Sequence, residues 1–156
     1  MKTLHEYPQF REIVSDRIWN AWWRDEGWEF EDIDAWMRLC LVPGPVPTTL
    51  VAMAGERFLG TVSLIESDMD ERPDYRPWIA ALWVEPDHRR KGIGGELVRT
   101  AARIAFDAGV KEVYLATSPE NERFYLGMGW RRIEEDVSGL NILSQAEAAV
   151  GYALSK

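Results

Sequence analysis

One stretch of the sequence, in which an apolar strand, a basic turn and a helix follow without interruption, constrains the fold more than any other. Trp78–Val84 (WIAALWV) is a nearly continuous apolar run, as expected of a strand covered on both faces. The best helical stripe in the chain follows it: Gly94, Leu97, Ala101, Ile104, Ala105 and Ala108, closed by Gly109. A strand buried on both faces needs neighbours at its sides and helices above and below. With the element order along the rest of the chain, this gives an α/β (or α+β) domain with a mixed sheet flanked by helices on both faces.

At 156 residues the chain has room for one domain with a substantial core, spanning residues 1–156, and not for two. A hydrophobic share of 46% with 12% aromatics excludes a disordered chain. No apolar run approaches the roughly 18–20 residues of a membrane span. The opening MKTLHEYPQFREIV lacks the apolar core and small-residue cleavage site of a secretory signal, so a cytoplasmic location without membrane contact is expected. Cys40 is the single cysteine, which excludes an internal disulfide framework and a cysteine-clustered zinc site. His5 and His88 are isolated, without metal-ligand spacing, so no metal is expected.

The formal net charge is −8, which disfavours nucleic-acid partners and favours cations. The excess is uneven. Residues 1–76 hold 8 Lys+Arg against 15 Asp+Glu, and residues 77–156 hold 10 against 11.

Along the chain, a short extended start near Lys2–His5 leads into a helix over roughly 8–24, on the spacing of Phe10, Ile13, Val14, Ile18, Ala21 and Trp22. Ile33, Trp36, Met37 and Cys40 give a second helix, entered through Glu29, Glu31 and Asp32 and ended by the run from Pro43 to Pro47. Thr49–Ala54 and Arg57–Ile65 form a hairpin about Gly55-Glu56. After a polar stretch from Glu66 to Arg76 come the strand and helix already described, then a buried strand at Val113–Ala116 and a short helix at Asn121–Leu126. Two strands close the chain, Trp130–Val137 and roughly 149–154.

The turn Val84–Gly95 (VEPDHRRKGIGG) carries chemistry. A helix N-terminus offers unpaired N–H groups and the positive end of its dipole. Gly92 and Gly94 let a pyrophosphate approach the backbone, and Arg89, Arg90 and Lys91 bring positive charge to an otherwise acidic chain. Other glycine motifs fail on spacing. A dinucleotide fingerprint starting at Gly92 would need glycine where Leu97 stands, and no P-loop pattern is present.

Arg89-Arg90-Lys91-Gly92-Ile93-Gly94 resembles the R/Q-x-x-G-x-G/A signature of the GNAT superfamily of acetyl-coenzyme-A-dependent N-acetyltransferases, and the order of elements resembles that fold. The resemblance implies a centrally splayed sheet in which Trp78–Val84 and Val113–Ala116 separate. Unpaired backbone groups at the splay then take the pantetheine arm by strand addition, with a bulge re-aiming one N–H. It nominates the backbones of Leu82, Trp83 and Val84 toward the pantetheine and acetyl group. It also nominates Arg89 and the amides of Arg90, Lys91, Gly92, Ile93, Gly94 and Gly95 toward the pyrophosphate.

A second segment, Asn121-Glu122-Arg123-Phe124-Tyr125 followed by Gly129-Trp130, resembles the family's N-x-x-x-x-Y/F…G-F/W pattern. It implies cofactor contacts from Asn121, Phe124 and Tyr125, with Tyr125 near the sulfur as catalytic acid. A phenol of pKa ~10 suits donation to a thiolate whose conjugate acid lies near ~8.5. The base that frees the amine is open among Glu66, Asp68, Asp70, Glu85 and a water chain.

The first helices and the loop before Trp78 wall the acceptor site in this family. Here they hold Trp19, Trp22, Trp23, Trp28 and Trp36 among many carboxylates, with Trp22 on the core stripe and Trp19 and Trp23 on a neighbouring face. That combination suits a small cationic amine. The expected activity is acetyl transfer from acetyl-CoA to such an amine. A protein N-terminus or lysine is the alternative acceptor, and a non-catalytic acyl-CoA-binding domain is the alternative class. A homodimer is an assembly the resemblance implies, with no interface legible in the sequence.

Overall fold

The computed structural model describes residues 1–147. In chain order the elements are β1 (Lys2–Thr3), α1 (Arg11–Ile18), α2 (Phe30–Leu39), β2 (Thr48–Ala54), β3 (Arg57–Ile65), β4 (Trp78–Val84), α3 (Ile93–Asp107), β5 (Glu112–Thr117), α4 (Glu122–Leu126), β6 (Arg131–Val137) and β7 (Leu140–Ala146). The seven strands form one sheet in the order β1-β2-β3-β4-β5-β7-β6. Every pairing is antiparallel except that of β4 with β5.

Alternation along the strands divides the core between the two faces. Leu50, Ala52, Ile79, Leu82 and Val84 point toward α3, where they meet Leu97, Val98, Ala101 and Ala105. Val51, Ala81 and Trp83 point the other way, toward Val14 and Ile18 of α1 and Ile33 and Met37 of α2. A third cluster joins Met69, from the loop between β3 and β4, to Trp78 and Ile142. The two helices on the second face are tied together through Asp34, a buried carboxylate that accepts from Arg11 (3.0 Å) and Ser15 (2.9 Å).

The first helix is not one regular α-helix: α1 gives way to a π-helical turn over Trp19–Trp23 and a 3-10 turn over Arg24–Glu26. The wider turn shifts the phase of the side chains, so Trp22 leaves the core stripe and stands 44% exposed, while Trp19 and Trp23 pack half-buried against the core. Trp36 likewise lies beside the buried Ile33 and Met37 and is itself 39% exposed.

A strand absent from the sequence reading, β7, pairs between β5 and β6. Its inward positions include Asn141, Ser144 and Gln145, all buried, which break the apolar alternation. Asn141 donates to Glu122 (2.9 Å) and Gln145 to the Met128 carbonyl (3.1 Å). The strand expected over 149–154 lies outside the described residues.

Candidate active site

β4 is paired with β3 along its length but touches β5 at a single bridge, Trp78 with Tyr114. Beyond that bridge the two strands diverge, and the β5-facing backbone groups of β4 are left without a strand partner. The register against β3 also breaks. Thr61 faces Trp83 and Ser63 faces Ala80, so Ala81 and Leu82 together oppose Val62. This is a bulge, with Ala81 in the left-handed region at φ +56°. Gly60 makes room for it, since a Cβ there would stand 2.8 Å from the Trp83 carbonyl oxygen.

The divergence corrects the sequence reading of β4 as covered throughout. Trp78 and Ile79 are buried, but Ala80 to Val84 are only partly so, because the partner strand has moved away.

β4 runs into the turn through Glu85 and a 3-10 turn at Pro86–His88. Arg90 (φ +63°) and Gly92 (φ +83°) are both left-handed, a conformation that curls successive amides into an anion-binding concavity. The first helical bond of α3 is from the Glu96 amide to the Gly92 carbonyl (3.1 Å), so the amides before Glu96 have no acceptor within the helix. A Cβ on Gly92 would meet nothing within 4 Å. The space before this turn is open, as a phosphate cradle requires.

Gly94 brings several nominated residues together. A Cβ there would lie 3.5 Å from Phe124, 3.7 Å from Val84 and 3.8 Å from Leu82. Gly95 is buried beside Arg99 and Met128, and Ile93 packs on the main core. Arg90 and Lys91 are exposed. Arg89 turns back on the strand: its Nε donates to the Val84 carbonyl (2.8 Å), and its guanidinium lies 4.7 Å over the Trp83 ring.

α4 carries Phe124 and Tyr125. Phe124 is 45% exposed and edge-on to Tyr125 at 4.9 Å. Tyr125 is half-buried against the main core, and desolvation pushes its phenol up to about 12. It has no hydrogen-bond partner among the described residues, where no side-chain polar atom is both buried and unpaired. The hydroxyl is therefore a protonated donor that opens toward solvent. Asn121 caps α4 without a side-chain capping bond, which leaves its amide free.

The sequence reading missed what fixes this short helix. Glu122 is buried and accepts from Arg132 (2.6 and 2.8 Å) and Asn141, and these donors hold its carboxyl below the ordinary value. Arginine ten residues from a glutamate gives no pattern that could have revealed it.

On the opposite face, Glu85 is already engaged. It accepts from Arg17 Nε (3.0 and 3.1 Å) and from the Trp83 indole (3.0 Å), and Trp22 stands edge-on to Trp83 at 6.5 Å. Of the other carboxylates considered as bases, Glu66 and Asp70 are exposed. Asp68 also reaches solvent, yet protein packed around it desolvates the carboxyl and pushes it above the ordinary value. The loop bearing these residues is pinned to β6. Arg72 donates twice to Glu134 (2.8 and 2.7 Å) and the Tyr75 hydroxyl once (2.6 Å), holding Glu134 down at about 2.

Tyr75 also stacks on Tyr114 of β5 at 4.6 Å. Cys40 is buried and its thiol is pushed up by desolvation, the opposite of an activated nucleophile. Among the described residues no cluster of His, Cys, Asp and Glu could hold a metal, and no helix is long and apolar enough to cross a membrane.

Residues 15–130 match the model of the acetyltransferase (GNAT) family. The chain belongs to that family. Among curated relatives, it is 32% identical over 103 residues to N-alpha-acetyltransferase 30 of Xenopus laevis, a match covering 64% of this chain and 34% of that protein. It is 37% identical over 87 residues to N-acetyltransferase 8B of Rattus norvegicus, covering 53% and 38%. The chain thus spans little more than a third of the length of these relatives. A solved aminoglycoside 6'-N-acetyltransferase complexed with coenzyme A shares the fold with TM-score 0.70 at 14% identity, over 89% of this chain and 91% of that one. Aminoglycoside 6'-acetyltransferase type Ii gives 0.69 at 17%, over 91% and 92%.

Proposed function

We propose that the protein is an N-acetyltransferase that transfers an acetyl group from acetyl-CoA to the primary amine of a small cationic acceptor. The observation that carries the reading is the divergence of β4 from β5 beside an open, glycine-lined helix N-terminus. Unpaired backbone on β4 suits the amides of a pantetheine arm. The amides from Arg90 to Gly95, with Arg90 and Lys91 beside them, suit a pyrophosphate. Phe124, 45% exposed on α4, adds apolar surface next to Gly94. Family membership and the solved relative complexed with coenzyme A support the same donor.

When bound, acetyl-CoA supplies an acyl group activated as a thioester. The chain's part is to hold, orient and stabilise. A β4 amide re-aimed by the bulge at Ala81–Leu82 is the donor suited to the developing oxyanion. Tyr125 meets the leaving thiolate. With its phenol at about 12, full proton transfer to a thiolate of ~8.5 is uphill, so Tyr125 acts chiefly by donating a hydrogen bond. A carboxylate among Glu66, Asp68 and Asp70, or a water chain, receives the amine's proton. Glu85 is held by Arg17 and Trp83 instead.

The acceptor preference rests on the carboxylate excess of residues 1–76 and on the exposed ring of Trp22 beside Trp83, a combination that attracts alkylammonium groups. A cytoplasmic location belongs to the same proposal. The test is a panel of amino sugars, diamines, lysine peptides and free-N-terminus peptides, read by thiol release from acetyl-CoA. Small diamines or amino sugars turning over at least about tenfold faster in kcat/KM than the peptides supports the reading, and the reverse order overturns it. A protein N-terminus is the second reading, favoured by the names of the N-alpha-acetyltransferase 30 relatives. Binding of acetyl-CoA without thiol release for any amine would mean a binding domain.

A further inference from the structure

Three of the tryptophans expected near the acceptor end form a cluster of their own. Trp23 lies 5.6 Å from Trp28 and 5.2 Å from Trp36, and Trp28 lies 5.4 Å from Trp36, centroid to centroid. Rings this close touch, so they enclose no cavity and instead form an apolar cap whose outer surface meets water. Trp28 is 41% and Trp36 39% exposed, and Leu39 and Val42 beyond them are 61% and 64% exposed. Trp36 and Leu39 share one stripe of α2 with Asp32, turned away from the buried Ile33 and Met37. A contiguous apolar face of this kind marks an interaction surface more often than chance exposure does.

Its surroundings state the chemistry of the partner. Asp25, Glu26, Glu31 and Asp32 are exposed around it. The two nearby cations are engaged elsewhere, Arg24 with Asn20 and Arg38 with Asp34. The chain also covers tryptophan faces in its own way. Arg24 lies 5.1 Å over Trp19, and Arg89 lies 4.7 Å over Trp83. Among the described residues Trp28 and Trp36 have no such guanidinium.

We infer that the apolar surface formed by Trp36 and Leu39 of α2, with Trp28 packed against Trp36, docks an arginine-bearing segment of a partner protein. Guanidinium groups stack on the two indoles while the carboxylate rim neutralises them. A second copy of this chain is the poorer occupant, because a two-fold contact would bring the same acidic rim against itself. Anionic lipid and nucleic acid meet the same repulsion. The inference shares its carboxylates with the acceptor reading but rests on the exposed rings of Trp28 and Trp36, and a peptide without a free amine lets either reading fail alone.

The experiment titrates the whole protein with a short arginine–glycine repeat peptide blocked at both ends, which offers no amine to acetylate. Calorimetry is run at low and physiological salt. Expected is saturable binding that weakens with salt, falls about tenfold or more in Trp36→Ala, and falls severalfold in the exposed charge reversal Glu31→Lys. Acetyl-CoA affinity stays unchanged in both variants, since neither residue belongs to the glycine-lined turn or to β4. Leu39→Asn, at a position open to water, guards against a folding defect in Trp36→Ala and also weakens the peptide. No binding, or equal binding by all three variants, overturns the inference. So does sedimentation showing a dimer that Leu39→Asn dissolves, or binding to phosphatidylserine vesicles with none to the peptide.

Discussion

On the side of β4 facing α3 and α4, Leu82 and Val84 of the strand and Phe124 of α4 converge on the backbone of Gly94. On the side facing α1 stand Trp22, Arg17 and Glu85, joined by an edge-on aromatic contact and a two-oxygen ion pair. One side combines apolar side chains with exposed backbone amides and open space before Gly92; the other is made of large side chains locked to one another. A backbone site recognises what all its ligands share, whereas a side-chain site recognises what distinguishes them. This division suits a constant donor and a chosen acceptor, and the substitutions that follow are aimed at it.

The largest effect is expected at Gly92. Its φ of +83° and the empty space before it make Gly92→Val both strained and obstructive. Losing two charge-assisted amide bonds to phosphate predicts a fall of roughly 100-fold or more in acetyl-CoA affinity by calorimetry, with circular dichroism retained. If neutralising Arg90 and Lys91 together weakens binding more than Gly92→Val does, the donor side is a side-chain site and the comparison fails.

Next comes Tyr125→Phe, which removes one hydroxyl from the donor side. The expected loss in kcat is roughly 10- to 100-fold with acetyl-CoA affinity kept. The pH profile sharpens the assignment. Burial raises the phenol to about 12, so the donor form persists until pH rises through that value, and Tyr125 contributes no alkaline limb over pH 7–9. A wild-type limb in that range that disappears in Tyr125→Phe would show a lower pKa and full proton transfer.

The same division explains what could be read in the sequence. The proposed donor side is nominated by a contiguous stretch: strand, turn and helix lie within Trp78–Asp107, and glycine and arginine spacing point to it. The bulge at Ala81 left no mark, because alanine is an ordinary strand residue there and only the register with Thr61 and Ser63 reveals it. The acceptor side depends on distant pairs, Arg17 with Glu85 and Arg72 with Glu134, whose members carry no local signal. Trp22 was misread because helical periodicity assumes 3.6 residues per turn, and the π-helical turn breaks it. β7 was hidden because its buried polar residues are satisfied by Glu122 and Met128, groups known only from the fold.

Glu122→Gln tests whether α4 belongs to the donor side by attachment as well as by contact. The amide cannot accept from both Arg132 and Asn141 as the carboxylate does. A lower Tm and a kcat reduced roughly three- to tenfold are expected, as Tyr125 loses its fixed approach. Restoration of Tm by added salt or osmolyte without recovery of kcat would separate positioning from folding.

A smaller effect, on stability alone, is expected from Glu134→Gln. Arg72 and Tyr75 hold the Glu134 carboxyl down at about 2, below its ordinary ~4.3. A depressed carboxyl contributes stability that is fully present above the ordinary value and lost as pH falls toward 2. The Tm gap between wild type and Glu134→Gln should therefore be constant above about pH 5 and close between roughly pH 4 and 2. A gap that persists at pH 2 would mean that shape, and not charge, pins the loop before β4.

The smallest effect separates the two sides of β4 most directly. Arg17 holds Glu85 with its Nε at 3.0 and 3.1 Å, and Glu85 in turn accepts from the Trp83 indole. Lysine keeps the charge but loses the planar guanidinium, so Arg17→Lys loosens Trp83 and Trp22 without touching Gly92 or Gly94. The expected result is a rise of about threefold in the acceptor KM, with kcat and acetyl-CoA affinity within error of wild type. Equal changes in both substrates would mean that the ion pair sets the backbone of β4 itself. The strand would then carry strain from one side to the other, and acceptor choice could not vary without disturbing the donor.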